Sequence, residues 1–299
     1  MRISVVVPHY NQPEYLQICL DTLKAQTPVS ADVEIIVVDN NSIETPEHVC
    51  ADFPDVTLLR ETTPGPGPAR NKGVSHASGE ILAFIDADCH AHREWLAAIE
   101  RVFDNPETQV VGGDVRVNIL NPNKPTFLEA YERIYAYRNE KYIAKGFSGT
   151  GNLAMRREVY DRVGAFAGIG VAEDRDWGQR ARASGYRIIY VADMIVYHPA
   201  RTQFSKLVQK WDRHILHEYQ EMPTGMGRMP KWYAKAVALA VSPLVEVLRI
   251  ATTSRISGLR MRFQAFYCLV MIRLYRSYAM IRLGSFGAQR QARNDWTRS

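Results

Sequence analysis

Short apolar runs punctuate the first hundred residues, and polar residues close each of them. Ile3-Ser4-Val5-Val6-Val7 gives way to Pro8-His9-Tyr10-Asn11, and Val33 to Val38 gives way to Asp39-Asn40-Asn41-Ser42. Ile81-Leu82-Ala83-Phe84-Ile85 ends in Asp86-Ala87-Asp88-Cys89, and a shorter run spans Val56 to Leu59. Segments of this length, rich in branched side chains, read as buried strands. Between them the spacing turns helical. Pro13 opens a helix over about Glu14 to Ala25, with Leu16, Cys19, Leu20 and Leu23 on one side. A second helix is expected over Ala69 to Ser78, after Pro64-Gly65-Pro66-Gly67-Pro68, which reads as neither helix nor strand.

Further on, Trp95 to Phe103 reads as a helix and Val110 to Val117 as a strand. Phe127 to Ala144 looks helical and aromatic-rich, and Gly146 to Asn152 forms a glycine-rich turn before Leu153-Ala154-Met155. A helix opens at Ala172-Glu173-Asp174-Arg175-Asp176-Trp177 and continues to Arg182. Gly185 to Val191 reads as a turn and strand, and Val196 to His198 closes another. Strands alternating with helices through short links predict a doubly wound α/β fold, with a mostly parallel central sheet flanked by helices. Ligands of such sheets bind beyond the carboxyl ends of the strands. Tyr10-Asn11, Asp39 and the Asp86/Asp88 pair are therefore expected on one edge, as one site.

Two carboxylates spaced i, i+2 beside a phosphate site suit Mg²⁺ or Mn²⁺, which take hard oxygen ligands. The same pair is also what a solvated acidic turn looks like. Acids in a first helical turn stabilise the helix dipole. That accounts for one or two of Glu173, Asp174 and Asp176, but not for all three behind the loop Gly164 to Gly170. No dinucleotide fingerprint is present, because Gly65-Pro66-Gly67-Pro68-Ala69-Arg70 carries Arg at the third glycine position; a Walker A sequence is absent as well.

Composition bounds the picture. An apolar content of 46% over 299 residues permits a sizeable core in one large or two small domains. Cys19, Cys50, Cys89 and Cys268 are scattered, with no zinc spacing, which fits a reducing compartment. Arg2 precedes only five apolar-run residues, too few for a signal-peptide core, so a cytoplasmic location is expected. The net charge of +5 hides a split. Up to Ala200 there are 20 Lys+Arg against 27 Asp+Glu, about −7; from Arg201 there are 17 against 5, about +12. A basic second part faces something anionic, and a membrane surface fits better than nucleic acid, for which no binding module appears.

The ordered set Val5-Val6-Val7-Pro8-His9-Tyr10-Asn11, Val38-Asp39-Asn40-Asn41-Ser42, Gly67-Pro68-Ala69-Arg70-Asn71-Lys72-Gly73, Asp86-Ala87-Asp88, Gly151-Asn152-Leu153-Ala154-Met155-Arg156, Glu173-Asp174-Arg175-Asp176-Trp177 and His198 resembles the family-2 glycosyltransferases with the GT-A fold. The resemblance spans roughly the first two hundred residues. The change of pattern and charge from Gln203 marks off a basic, mainly helical region over 203–299; the resemblance implies a catalytic domain over residues 1–202. It also implies inverting transfer from a nucleotide-diphosphate sugar, most often a UDP-sugar, to an acceptor hydroxyl, in envelope, polysaccharide or glycolipid synthesis. Pro8, Tyr10, Asn11, Asp39, Arg70, Asn71 and Asp86 would hold the nucleotide. Asp88 and His198 would bind the metal. Gly151, Asn152, Glu173 and Trp177 would meet the sugar or acceptor, and Asp174 would be the base. The residues alone leave Asp176 as a competing base, and leave Trp177 equally open to core packing.

In the basic region, Phe204, Leu207, Val208 and Trp211 recur at helical spacing, Met222 to Pro230 reads as a linker, and Tyr233 to Ile250 and Leu259 to Leu283 read as helices. The uncharged runs are about half of what a bilayer span requires. Arg262, Arg273 and Arg276 fall within a sector of about 60° at 100° per residue, which suggests arginines facing anionic headgroups at the inner face of the cell membrane; a helical subdomain packed on the catalytic domain, or a dimer interface, is the alternative. A soluble-acceptor enzyme and a catalytically inactive nucleotide-binding scaffold are the rival readings; a nucleotidyltransferase would want a glycine-rich basic loop after the first strand.

Overall fold

A computed structural model describes residues 1–286 apart from 122, 224 and 226. The expected linker at 222–230 and the region 203–299 thus lie partly outside the described residues. In chain order the elements are β1 (Arg2–His9), α1 (Pro13–Lys24), β2 (Asp32–Asp39), α2 (Glu47–Cys50), β3 (Val56–Arg60), α3 (Pro66–His76), β4 (Ile81–Ile85), β5 (His90–Ala91), α4 (Trp95–Phe103), β6 (Val110–Val117), α5 (Phe127–Tyr135), α6 (Asn139–Ile143), β7 (Asn152–Arg156), α7 (Arg157–Val163), α8 (Glu173–Ala183), β8 (Ile188–His198), α9 (Phe204–Glu221), α10 (Arg228–Val241), α11 (Pro243–Thr252) and α12 (Gly258–Phe286).

Among the described residues eight strands form one sheet in the order β3-β2-β1-β4-β7-β6-β8-β5. β1, β2, β3 and β4 pair in parallel, whereas β7 is antiparallel to both β4 and β6. Strand alternation sends the apolar side chains to two faces. Val5, Val7, Ile35, Val37 and Ile81 pack with α1 and α4, through Leu16, Leu20, Trp95 and Ile99. Val6, Ile36, Val38 and Phe84 pack with α3 and α8, through Ala69, Val74, Trp177 and Ala181. Burial on both faces is why these strands read as continuous apolar runs. His9 pairs with Asp39 and Val6 with Phe84; continuing that register by two residues sets Asp86 level with Pro8. The polar strand ends therefore gather on one edge.

Four expectations change. α3 starts at Pro66, inside the segment read as irregular, because a first helical turn has no use for the amide hydrogens that proline lacks. The helix expected over 127–144 breaks between α5 and α6, where Tyr137 adopts φ 47°. The two strands expected over 185–198 are one, β8. The helix expected over 233–250 restarts at Pro243, which separates α10 from α11.

The chain divides into two compact units, Met1–Arg116 with Tyr137–Pro199, and Val117–Ala136 with the residues from Ala200 onward. α5 thus groups with the second unit, although its sequence lies inside the expected 1–202 domain. A capping box of Thr126 and Glu129 starts α5, and its apolar face joins α9 and α12 through Leu128, Tyr131, Leu207, Ala265 and Leu269. Within this unit the arginine sector of α12 faces inward, opposite to expectation. Arg262 donates to the carbonyls of Ile250, Thr253 and Ile256, Arg273 reaches Ser242 Oγ and Glu246, and Arg276 stacks on the Trp211 ring. Burial lowers the Arg276 pKa to about 10. Among the described residues no helix is long and apolar enough to cross a membrane.

Candidate active site

At the end of β1, His9 lies buried beneath the surface. The Gln12 amide donates to its Nε2 (3.2 Å), so Nδ1 carries the proton and donates to Asp39 Oδ1 (3.1 Å). Burial, the largest influence, lowers the His9 pKa despite the Asp39 charge, so the ring stays neutral. Asp39 Oδ2 accepts from the Ser42 amide (3.3 Å), and Ser42 Oγ accepts from the Asn11 amide (2.8 Å). Asn11 holds a left-handed φ of 51° and its Oδ1 accepts from the Ile43 amide. Asn40 ties this edge to the next loop, donating to the carbonyls of Glu61 and Thr63 and accepting from the Gly65 amide. Asp39 is consequently fixed and buried, Pro8 is half-buried, and the Tyr10 ring stands exposed beside them. His9, Asn40 and Ser42 were not singled out in the sequence; their position in the runs that end β1 and β2 was the available signal.

Across the edge, the buried guanidinium of Arg70 joins two elements. It donates to Asp86 Oδ1 (2.5 Å) after β4 and to Glu173 Oε1 (3.1 Å) at the start of α8. Gly151 backs this arrangement, because a Cβ there would stand 2.3 Å from Asp86 Oδ2. The carboxylate leaves no room for a side chain at this position.

Asp88 Oδ2 lies 3.2 Å from His198 Nε2, at the end of β8. Burial alone would raise Asp88, but the hydrogen bond and charge of His198 outweigh it and leave its pKa lowered. Burial alone would lower His198, and Asp88 reverses that too, leaving it raised. The carbonyl of Pro199, 2.7 Å from Nδ1, fixes the ring with Nε2 toward Asp88. Adjacent ligands of an octahedral ion with bonds of about 2.1 Å stand about 3 Å apart, so this pair has the spacing of two ligands of one cation. Asp86 and Asp88 also cluster with Cys89, donor atoms within 4.8 Å. Burial pushes the Cys89 thiol well above its ordinary range, so it stays protonated and soft, a poor partner for a hard ion. The Asp86 and Asp88 carboxylates fit a divalent metal, and His198 stands beside Asp88.

The acids of α8 separate by environment. Asp176 accepts from Arg180 (2.9 Å), whose other nitrogens hold the carbonyls of Val163 and Ala165. Asp174 accepts from the Arg175 amide, and burial followed by the neighbouring Glu173 charge outweighs that bond and raises its pKa.

Three residues expected to meet a ligand are engaged within the protein. Both ends of the Asn71 carboxamide are engaged, by Tyr160 and by the backbone of Phe166. Asn152 is fully buried, accepting from Trp95 Nε1 and donating to the carbonyls of Asp114 and Met194. Trp177 is core: its Nε1 donates to the Gly164 carbonyl and its ring packs on Phe166.

Residues 4–164 match the family described as Glycosyl transferase family 2, more than half of the chain. The chain belongs to glycosyl transferase family 2. It is 31% identical over 244 residues to the glycosyltransferase AglE of Haloferax volcanii, covering 79% of this chain and 76% of that protein. Among solved structures it is similar to the mannosyltransferase PcManGT of Pyrobaculum calidifontis in complex with GDP-Man and Mn²⁺, with TM-score 0.56, 20% identity, and coverage of 95% and 87%. It is also similar to S. aureus TarS 1–349 in complex with UDP-GlcNAc, with TM-score 0.53, 17% identity, and coverage of 98% and 92%. These structures share the GT-A fold. The chain is thus a glycosyltransferase, and its Asp174 and His198 lie beyond the family match, on α8 and β8 of the same unit.

Proposed function

We propose that this glycosyltransferase moves a sugar, with inversion, from a nucleoside-diphosphate sugar to an acceptor hydroxyl. The observation that carries this reading is the contrast between two carboxylates. Asp88 Oδ2 lies 3.2 Å from His198 Nε2 and clusters with Asp86, which suits a cation, whereas Asp174, at the start of α8, accepts from the Arg175 amide and has its pKa raised by burial. Pro8 and the exposed Tyr10 ring support a base lying at the β1 end, with Asp39 and Asn11 beneath and beside it. Arg70 holds Asp86 on the ribose side. Mn²⁺ or Mg²⁺ on Asp88 and His198 would supply neutralisation of the departing diphosphate.

Asp174 takes the proton of the acceptor hydroxyl as it attacks the sugar carbon, which becomes oxocarbenium-like. One displacement on the face opposite the leaving group inverts the configuration. UDP is the favoured nucleotide; because PcManGT was solved with GDP-Man, guanosine is the alternative to test. A lipid-linked or envelope-glycan acceptor belongs to this proposal, because the second unit is basic and exposes apolar residues.

The test is nucleoside diphosphate release from a panel of UDP-, GDP- and dTDP-sugars, with glycan acceptors, by wild type and Asp174→Asn. Release from one nucleotide series that the variant loses, giving a product of inverted anomeric configuration, is expected. Equal release by both proteins would remove Asp174 as base, and a retained configuration would remove the single displacement.

A further inference from the structure

On α11 and α12 of the second unit several charges are used internally while apolar residues face solvent. On α11, Glu246 accepts from Tyr135 and faces Arg249 and Arg273 inside the unit. What α11 leaves to solvent is Leu244 (74% exposed), Val245 (82%) and Leu248 (72%). α12 behaves the same way. Arg262, Arg273 and Arg276 are used internally, while Phe263, Tyr267, Leu274 and Tyr278 are exposed at spacings of 4, 7 and 4 residues, one side of a helix.

The two stripes belong to neighbouring helices. Trp232 Nε1 donates to the Met280 carbonyl, Arg273 reaches Ser242, and Arg262 reaches the Ile250 carbonyl. α10 and α11 therefore run antiparallel along α12. A helix with apolar residues on every side is one that water does not surround, and an exposed apolar surface of this extent marks an interaction site.

Charge says what covers it. Between Arg228 and Phe286 there are ten Lys+Arg and one acid, the inward-facing Glu246. Lys231, Arg260 and Arg282 are exposed on these helices. A second copy packing this same face against it would bring basic against basic. The residues beyond 286 offer one large apolar side chain, Trp296, too little to match the face. An anionic lipid surface supplies both an apolar interior and the opposite charge. No described helix is long and apolar enough to cross a bilayer, so the contact lies in the interface plane.

We propose that α11 and α12 dock this protein on anionic membranes, with Leu244, Val245, Leu248 and Phe263 entering the acyl boundary and the flanking basic residues meeting the headgroups. This surface is independent of the sugar-transfer reading, so nucleotide binding and vesicle binding fail or succeed separately.

The experiment is flotation of the full chain with vesicles of phosphatidylcholine, alone or mixed with phosphatidylglycerol. Wild type should float with the anionic vesicles, less so with neutral ones or at raised salt. Val245→Glu/Leu248→Glu should lower the floating fraction at least tenfold, with circular dichroism and melting unchanged because the sites are exposed. Phe263→Ser provides a second, milder variant should the double variant misfold. Failure of wild type to float with either vesicle, or equal flotation of wild type and folded variants, would overturn the proposal. A wild-type dimer in light scattering that the variants dissociate, without flotation, would overturn it in favour of a second copy.

Discussion

Replacing Gly151 with alanine places a methyl group 2.3 Å from Asp86 Oδ2 and 2.8 Å from Cγ. Favourable heavy-atom contacts lie at about 3.5–4 Å, so the carboxylate must retreat by about 1 Å. That retreat stretches its bond to the buried guanidinium of Arg70, now 2.5 Å long. A hydrogen bond between charged groups is worth about 1.5–3 kcal/mol. The Asp86 side chain is 37% exposed, so water recovers part of this, and about 1–2 kcal/mol is the expected loss. In the folding equilibrium that is about fivefold to thirtyfold. Urea titration of the unfolding free energy reads it directly. Gly168→Ala is the control, since a Cβ there meets nothing within 4 Å. In the Asp86→Ala background the Gly151→Ala penalty should vanish, because the clashing atoms are gone. Unchanged stability in Gly151→Ala, or a penalty that persists without Asp86, would refute the steric reasoning.

Asp174→Asn should cost about 10²- to 10⁴-fold in transfer rate and leave nucleotide affinity unchanged. Asp176→Asn, loosening only the Arg180 contact, should stay within about tenfold of wild type. Because the Asp174 pKa is raised, the acid limb of the rate profile should lie above the ordinary aspartate value of 3.8 and disappear with the base; a limb at or below it argues against this assignment. Trp177→Ala removes a fully buried ring and should cost about 3–5 kcal/mol of unfolding free energy, read by urea titration, where an acceptor-stacking residue would spare stability and raise KM. His9 has a lowered pKa, so below pH 6.5 the unfolded chain binds more protons than the fold. Its contribution to stability is complete above 6.5 and is lost as pH falls through its folded value; His9→Gln should flatten that slope in melting curves.

Runs with apolar residues on both sides of the pleat, such as Ile81 to Ile85, were legible as strands because no other element accommodates them at that length. The gathering of Asp39, Asp86 and Asp88 followed from topology alone. What the sequence could not carry was the direction of individual side chains. Asn71, Asn152 and Trp177 sit in the right segments, yet each points into the protein, where packing decides. The arginines of α12 share a sector, as their spacing requires, but the sector faces α11 and Trp211. Periodicity identifies which residues share a side of a helix without saying which side is wet. The grouping of α5 with the second unit depends on contacts with residues more than a hundred positions away, which local patterning does not record. The Asp174 and Asp176 alternatives, almost equal by spacing, differ once Arg180 is seen beside one of them.

The most direct measurement is calorimetric titration of UDP, GDP and dTDP into wild type and Asp88→Ala, each with and without Mn²⁺. Binding of one nucleotide that requires the metal in wild type and is lost in the folded variant is the predicted result. No binding by folded wild type, or equal binding with and without Asp88, would contradict a metal-assisted donor site at the ends of β1, β2, β4 and β8.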